Sequence, residues 1–149
     1  MISWAVIGSW RPRPDAHLWA AFNLRAHHMQ AQTVAQRVTE ASEIWTELDT
    51  LISAHHLPER MTGMLYEAVL GYRVRRPGYM KMTGVEKHTA TRDLSRLAEL
   101  ALLHPQGETR GRYYLAGQPL RELREDCRKR RPPIVDPYPW TRTRLTETR

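Results

Sequence analysis

The sequence predicts a mainly α-helical chain with one small β-hairpin: a helical N-terminal segment, then a helix-turn-helix closed by the hairpin. Three observations carry this expectation. Residues 16–54 contain no Gly or Pro, and their apolar residues recur at three- and four-residue steps. A second, shorter stretch repeats that spacing between Gly84 and Pro105. A Gly-containing stretch, residues 104–112, then precedes the β-prone run Tyr113-Tyr114-Leu115.

Taken in order, residues 1–14 read as an irregular N-terminal segment, 15–57 as a helical segment and 58–117 as the helix-turn-helix with its hairpin. Residues 118–131 read as a short basic helix and 132–149 as a Pro-rich tail. Arg11-Pro12-Arg13-Pro14 breaks regular structure, and Asp15 is suited to cap a helix that starts after it. The apolar stripe runs through Leu18, Trp19, Phe22, Ala26 and Met29, then Val34, Val38, Ala41, Ile44, Trp45, Leu48, Leu51 and Ile52. It fits one long helix or two, with a break near residues 30–33. His55-His56-Leu57-Pro58 interrupts it. A helix over residues 59–72 follows, with Met61, Leu65, Ala68, Val69 and Tyr72 on one side.

Arg75-Arg76-Pro77-Gly78 reads as a turn, residues 79–83 as a short helix, and Gly84 as a second turn. The next helix places Ala90, Leu94, Leu97, Ala98 and Ala101 on one face and His88, Thr91, Arg92, Ser95 and Glu99 on the other. It is expected to end near Leu103, and it starts at Glu86 without a Ser or Thr cap. Residues 104–112 form the hairpin tip, and residues 120–129 one more helix. The tail, with Pro132, Pro133, Pro137 and Pro139, is expected to be extended or disordered, with Tyr138 and Trp140 docking on the body. Trp4, Trp10, Trp19, Trp45 and Trp140 are expected to pack in the core and at its edges.

The 149 residues carry 23 Lys and Arg against 16 Asp and Glu, a net charge of +7. The charge is unevenly placed: residues 15–72 sum to −4, and residues 73–131 hold fifteen cations against seven acids, or +8. That concentration points to a polyanionic partner. A hydrophobic content of 41% supplies a core and excludes wholesale disorder. The single cysteine, Cys127, excludes a disulfide scaffold and a thiolate-rich zinc site. Arg124, Arg128, Lys129 and Arg130 are expected to lower its pKa. His27-His28 and His55-His56 point in different directions on a helix and make no metal site. There is no phosphate-binding glycine loop, so no cofactor is expected. No apolar run approaches a membrane span, and no signal-peptide core is present, which predicts a cytoplasmic protein.

Helix, turn, short helix, turn, amphipathic helix and hairpin follow one another as in a winged helix-turn-helix. In that arrangement the third helix enters the DNA major groove and the hairpin lies along the backbone. Lys87, His88, Thr91 and Arg92 are then placed to reach bases, and Arg110 and Arg112 to neutralise phosphates. The +8 segment is the one this order assigns to DNA.

The residues that carry this reading also carry a resemblance. Gly84-Val85-Glu86-Lys87-His88-Thr89-Ala90-Thr91-Arg92-Asp93-Leu94-Ser95-Arg96-Leu97, a leucine pair and Gly111-Arg112-Tyr113-Tyr114 resemble the C-terminal winged helix of Fic-family proteins. Gly8-Ser9-Trp10 and the run from Trp19 through Phe22, Asn23 and Arg25 to His27-His28 resemble the helical segment that precedes it in that family. The likeness covers roughly residues 8–138. Fic proteins transfer AMP from ATP to a protein hydroxyl with a His-Pro-Phe-x-x-Gly-Asn-Gly-Arg loop. Here His104-Pro105 is followed by Gln106-Gly107-Glu108, so no catalytic residue carries over. The resemblance implies the C-terminal part of a Fic-type system, with no enzymatic activity of its own and with double-stranded DNA as partner. The alternative is a protein-interaction module that docks on a Fic catalytic partner or its target. The N-terminal helices are the candidate homodimer contact.

Overall fold

The computed structural model describes residues 16–108 and 111–140. They form five α-helices and one antiparallel hairpin: α1 (His17–Ala54), α2 (Thr62–Val69), α3 (Arg76–Thr83), α4 (Lys87–Glu99), β1 (Leu103–Gln106), β2 (Tyr113–Ala116) and α5 (Gln118–Lys129). A 3-10 turn, Glu59–Met61, leads into α2. The chain divides into two compact units, Gln36–Pro132 and Met1–Ala35 with Pro133–Arg149. Residues 1–14 and Asp15 lie outside the described residues, as do Trp4, Trp10 and the last nine residues of the tail.

In the larger unit the core collects one face from each element. Ile44, Leu48 and Ile52 of α1 meet Met64, Leu65 and Ala68 of α2, Tyr79 of α3, Leu94 and Leu97 of α4, and Leu120 and Cys127 of α5. Ala90, Leu94 and Leu97 of the α4 stripe are buried and Ala98 half-buried, but the helix ends at Glu99 and Ala101 is exposed. Ala101 takes a positive φ of 55°, and Leu102 and Leu103 turn into the core as the chain enters β1. β1 therefore takes in His104, Pro105 and Gln106, which the sequence had assigned to the hairpin tip. Pro105 is tolerated because β1 is an edge strand. Its partner Tyr114 turns both backbone groups away, to the N–H and C=O of Val74, at 3.0 and 2.8 Å. Gly117 closes the hairpin against the turn after α4. Its N–H donates to Leu102 O at 2.8 Å, and a Cβ there would collide with the Ala101 carbonyl.

Two further boundaries differ from the sequence reading. The helix expected over residues 59–72 stops at Val69, because Gly71 adopts φ 95° and Tyr72 N–H folds back to Glu67 O. α3 starts at Arg76, not after Gly78, because proline at the first turn of a helix needs no N–H acceptor. Gly84, at φ 72°, ends α3 and aims α4.

In the smaller unit, residues 133–140 lie along the first half of α1. Arg25 Nε donates to both Asp136 oxygens at 2.9 Å. Gln32 and Val135 exchange two hydrogen bonds at 2.8 and 2.9 Å, and Trp140 stacks on His17. Trp19 is 71% exposed and does not join a core. It sits about 120° around α1 from Arg25, away from the side the tail covers. No helix among the described residues is long and apolar enough to cross a membrane.

Candidate nucleic-acid interface

Two neighbouring elements fix the orientation of α4. Its residue Asp93 falls on the apolar side and is 3% exposed. Arg60, in the turn before α2, donates through Nε and Nη2 to the two carboxylate oxygens at 2.8 and 3.0 Å. The buried Tyr79 of α3 donates its hydroxyl to Asp93 Oδ2 at 2.8 Å. Burial alone would raise the Asp93 pKa. The Arg60 and Tyr79 hydrogen bonds and the charge of Arg60 and Arg92 outweigh it, and the carboxyl is held below its ordinary value. The Tyr79 hydroxyl is pushed up to about 12, first by burial and then by Asp93, with Arg60 opposing. The cluster clamps α3 against α4 and sets which face of α4 meets solvent.

That outward face carries Lys87, His88, Thr91, Arg92, Ser95 and Arg96, all exposed. A groove of ≈ 360 Å³ runs beside it, lined by Thr91 and Ser95 of α4, Arg76 and Pro77 of α3, and Arg112 and Tyr114 of the hairpin. Thr91 is partly committed: its hydroxyl donates to Lys87 O at 2.8 Å and accepts from Arg76 Nη1 at 3.4 Å. Lys87 and His88 stand on the first turn of α4, outside the groove, and Arg92 projects on the same outward face. Arg112 stands just before β2, and Arg110 lies outside the described residues.

The cations fall into two groups. Arg60, Arg96, Lys129, Arg130 and Arg131 each have a carboxylate partner in the larger unit. Among the described residues Lys87, Arg92, Arg112, Arg73, Arg75 and Arg76 have none within salt-bridge distance. These six stand on α4, just before β2 and at the entry to α3; Arg37, Lys81, Arg121, Arg124 and Arg128 likewise lack a carboxylate partner among the described residues.

Sequence reading missed Arg76, Arg73 and Asp93. Arg76 was hidden in an apparent turn, although Pro77 is itself a helix-start signal. Arg73-Val74-Arg75 alternates polar, apolar, polar, the period of a strand, and Val74 does pair with Tyr114; Arg73 lies over the Tyr113 ring at 4.9 Å. Asp93 interrupts an apolar stripe, and that is the signature of a buried, partnered acid.

The expectation for Cys127 is corrected. Its side chain is 1% exposed, and burial pushes the thiol pKa up, with Glu43, Glu47 and Asp126 adding to this against Arg130. Of the four neighbouring cations, Lys129 and Arg130 are paired with carboxylates. Among the described residues no group of three or more His, Cys, Asp or Glu could hold a metal ion. Compared with protein-family models, curated proteins and solved structures, the chain matches none.

Proposed function

We propose that this chain binds double-stranded DNA as a winged helix-turn-helix, with α4 in the major groove and the β1–β2 hairpin as the wing. One observation carries this reading: Lys87 and Arg92 on the outward side of α4, and Arg76 and Arg112 in the adjoining groove, have no carboxylate partner among the described residues. The Val74–Tyr114 bridge supports it as well. It ties the segment before α3 to the hairpin, as a third strand does in that fold. Lys87, His88 and Arg92 are the candidate base-reading residues, and Arg76 and Arg112 the candidate phosphate contacts. Thr91 then acts mainly by holding Arg76 in place. The Fic resemblance adds a setting, the targeting portion of a Fic-type system acting in the cytoplasm, with no turnover of its own.

The test is a fluorescence-anisotropy titration of the purified chain onto random-sequence duplex DNA at low and high salt. The expected result is binding that falls steeply with salt and weakens roughly tenfold in Arg92→Ala. Absence of binding at low salt would overturn the reading. A second reading, docking on a Fic catalytic partner, is favoured by the exposed Trp19, Phe22, Leu24 and Val34 on the first half of α1.

A further inference from the structure

The fold places a second set of unpaired arginines on α5. Arg121, Arg124 and Arg128 are spaced three and four residues apart, so they form one stripe about 10 Å long. The stripe borders the buried side of α5, where Leu120 and Cys127 enter the core. The acids of the helix are engaged elsewhere. Lys129 reaches Asp126 at 3.3 Å and Glu125 at 4.0 Å, and Gln118 donates to Glu122 at 2.7 Å. No carboxylate among the described residues pairs with the three arginines. They line an open groove of ≈ 400 Å³ together with Glu125 and Lys129.

Arg124 is half-buried, between the exposed Arg121 and Arg128. Arg124 Nη1 also lies 3.4 Å from where a side chain on Gly71 would begin. From Gly71 the chain runs through Arg73 and Arg75 to Arg76 in the α4 groove, a Cα span of at most about 18 Å. Gly71 thus brings the α5 stripe beside the segment that leads to the α4 groove.

We propose that the α5 stripe of Arg121, Arg124 and Arg128 is a second phosphate-backbone contact that extends the DNA footprint beyond α4 and the hairpin. The inference rests on the DNA reading above. The stripe carries no sequence information; it supplies counterion release and holds the duplex in register.

The experiment compares the salt dependence of binding to a random-sequence duplex for three proteins: the unaltered chain, Arg121→Gln/Arg128→Gln on α5, and Lys87→Ala/Arg92→Ala on α4. Both α5 positions are exposed, so this variant is expected to keep the thermal midpoint of the parent. Each lost phosphate contact reduces the slope of log affinity against log salt by about 0.9, so the α5 variant should lose about 2. Restoration by Arg121→Lys/Arg128→Lys would support a charge contact. An unchanged slope in the glutamine variant, with binding still lost in the α4 variant, would overturn the α5 proposal and leave α4 standing. The converse result would keep the α5 contact and overturn the α4 reading. No binding by the unaltered chain would overturn both.

Discussion

Among the described residues, the two compact units differ in the contacts they show. In Gln36–Pro132 every helix contributes side chains to one shared core, with Leu48, Met64, Leu65, Ala90 and Leu97 at 0% exposure. In the other unit Trp19, Leu24 and Phe22 face solvent, and the named contacts are ion pairs, amide hydrogen bonds and ring stacking. Apolar burial scales with area and stabilises the first unit as a whole. Polar pairs depend on geometry and fix one docked arrangement in the second. Apolar burial and polar docking thus fall on different parts of one short chain.

The largest test of this contrast substitutes one apolar residue from each unit. Leu48→Ala removes a fully buried side chain and leaves a cavity; the expected loss is about 3 kcal/mol in denaturant unfolding. Trp19→Ala removes a far larger side chain, yet the expected change is within about 0.5 kcal/mol, because Trp19 is 71% exposed. Equal losses would mean that Trp19 is covered in solution, and the contrast would fail.

The next test concerns the polar exception inside the core. Asp93→Asn leaves Arg60 without its carboxylate and Tyr79 with a weaker acceptor. Removing one partner of a buried pair costs about 3–5 kcal/mol; Arg60 is 34% exposed, so about 2 kcal/mol is expected. The pH dependence has a fixed sign. The folded-state pKa of Asp93 is depressed, so its stabilisation is complete above its ordinary value of 3.8 and is lost as pH falls below it. The folded-state pKa of Tyr79 is raised from 10.0 to about 12, so its contribution is complete below pH 10.0 and is lost as pH rises toward 12. Thermal midpoints across pH should therefore lose part of their acid limb in Asp93→Asn and part of their alkaline limb in Tyr79→Phe. Unchanged limbs would show that the cluster is already open in solution.

How far the sequence foretold this arrangement depends on the kind of signal. α1 and α4 were legible because each repeats an apolar spacing over several turns, and the hairpin because Tyr113-Tyr114-Leu115 follows a Gly-containing stretch. Helix ends were less legible, since Ala101 and Gly71 stop helices through backbone conformation that side-chain periodicity does not encode. Val74 contributes a single bridge, too short for any window. On the candidate interface, Lys87, His88, Arg92 and Arg112 are visible as charges and a ring on the polar side of a stripe. Arg76 required knowing that Pro77 starts a helix, and the Arg60–Asp93–Tyr79 clamp joins residues 33 and 14 positions apart, which no local pattern reports.

The smallest effect, and the sharpest on the contrast itself, is expected at Asp136. Its carboxylate receives Arg25 Nε at 2.9 Å and Nη2 at 2.8 Å, and its Oδ1 accepts from Tyr138 N–H at 3.1 Å. Asp136→Asn keeps the volume and the backbone contact but removes the charge that orients the guanidinium. The two Gln32–Val135 hydrogen bonds and the Trp140–His17 stack stay in place, so the tail should loosen without leaving altogether. Limited digestion with a protease that cuts after aromatic residues is expected to release the chain beyond Trp140 faster than in the parent, since Pro139 blocks the bond after Tyr138. The midpoint of global unfolding should stay where it was, because no core side chain of Gln36–Pro132 is touched. A fall in that midpoint together with faster cleavage would mean that the two units unfold as one, and that the polar docking of the tail supports the core as well as its own register.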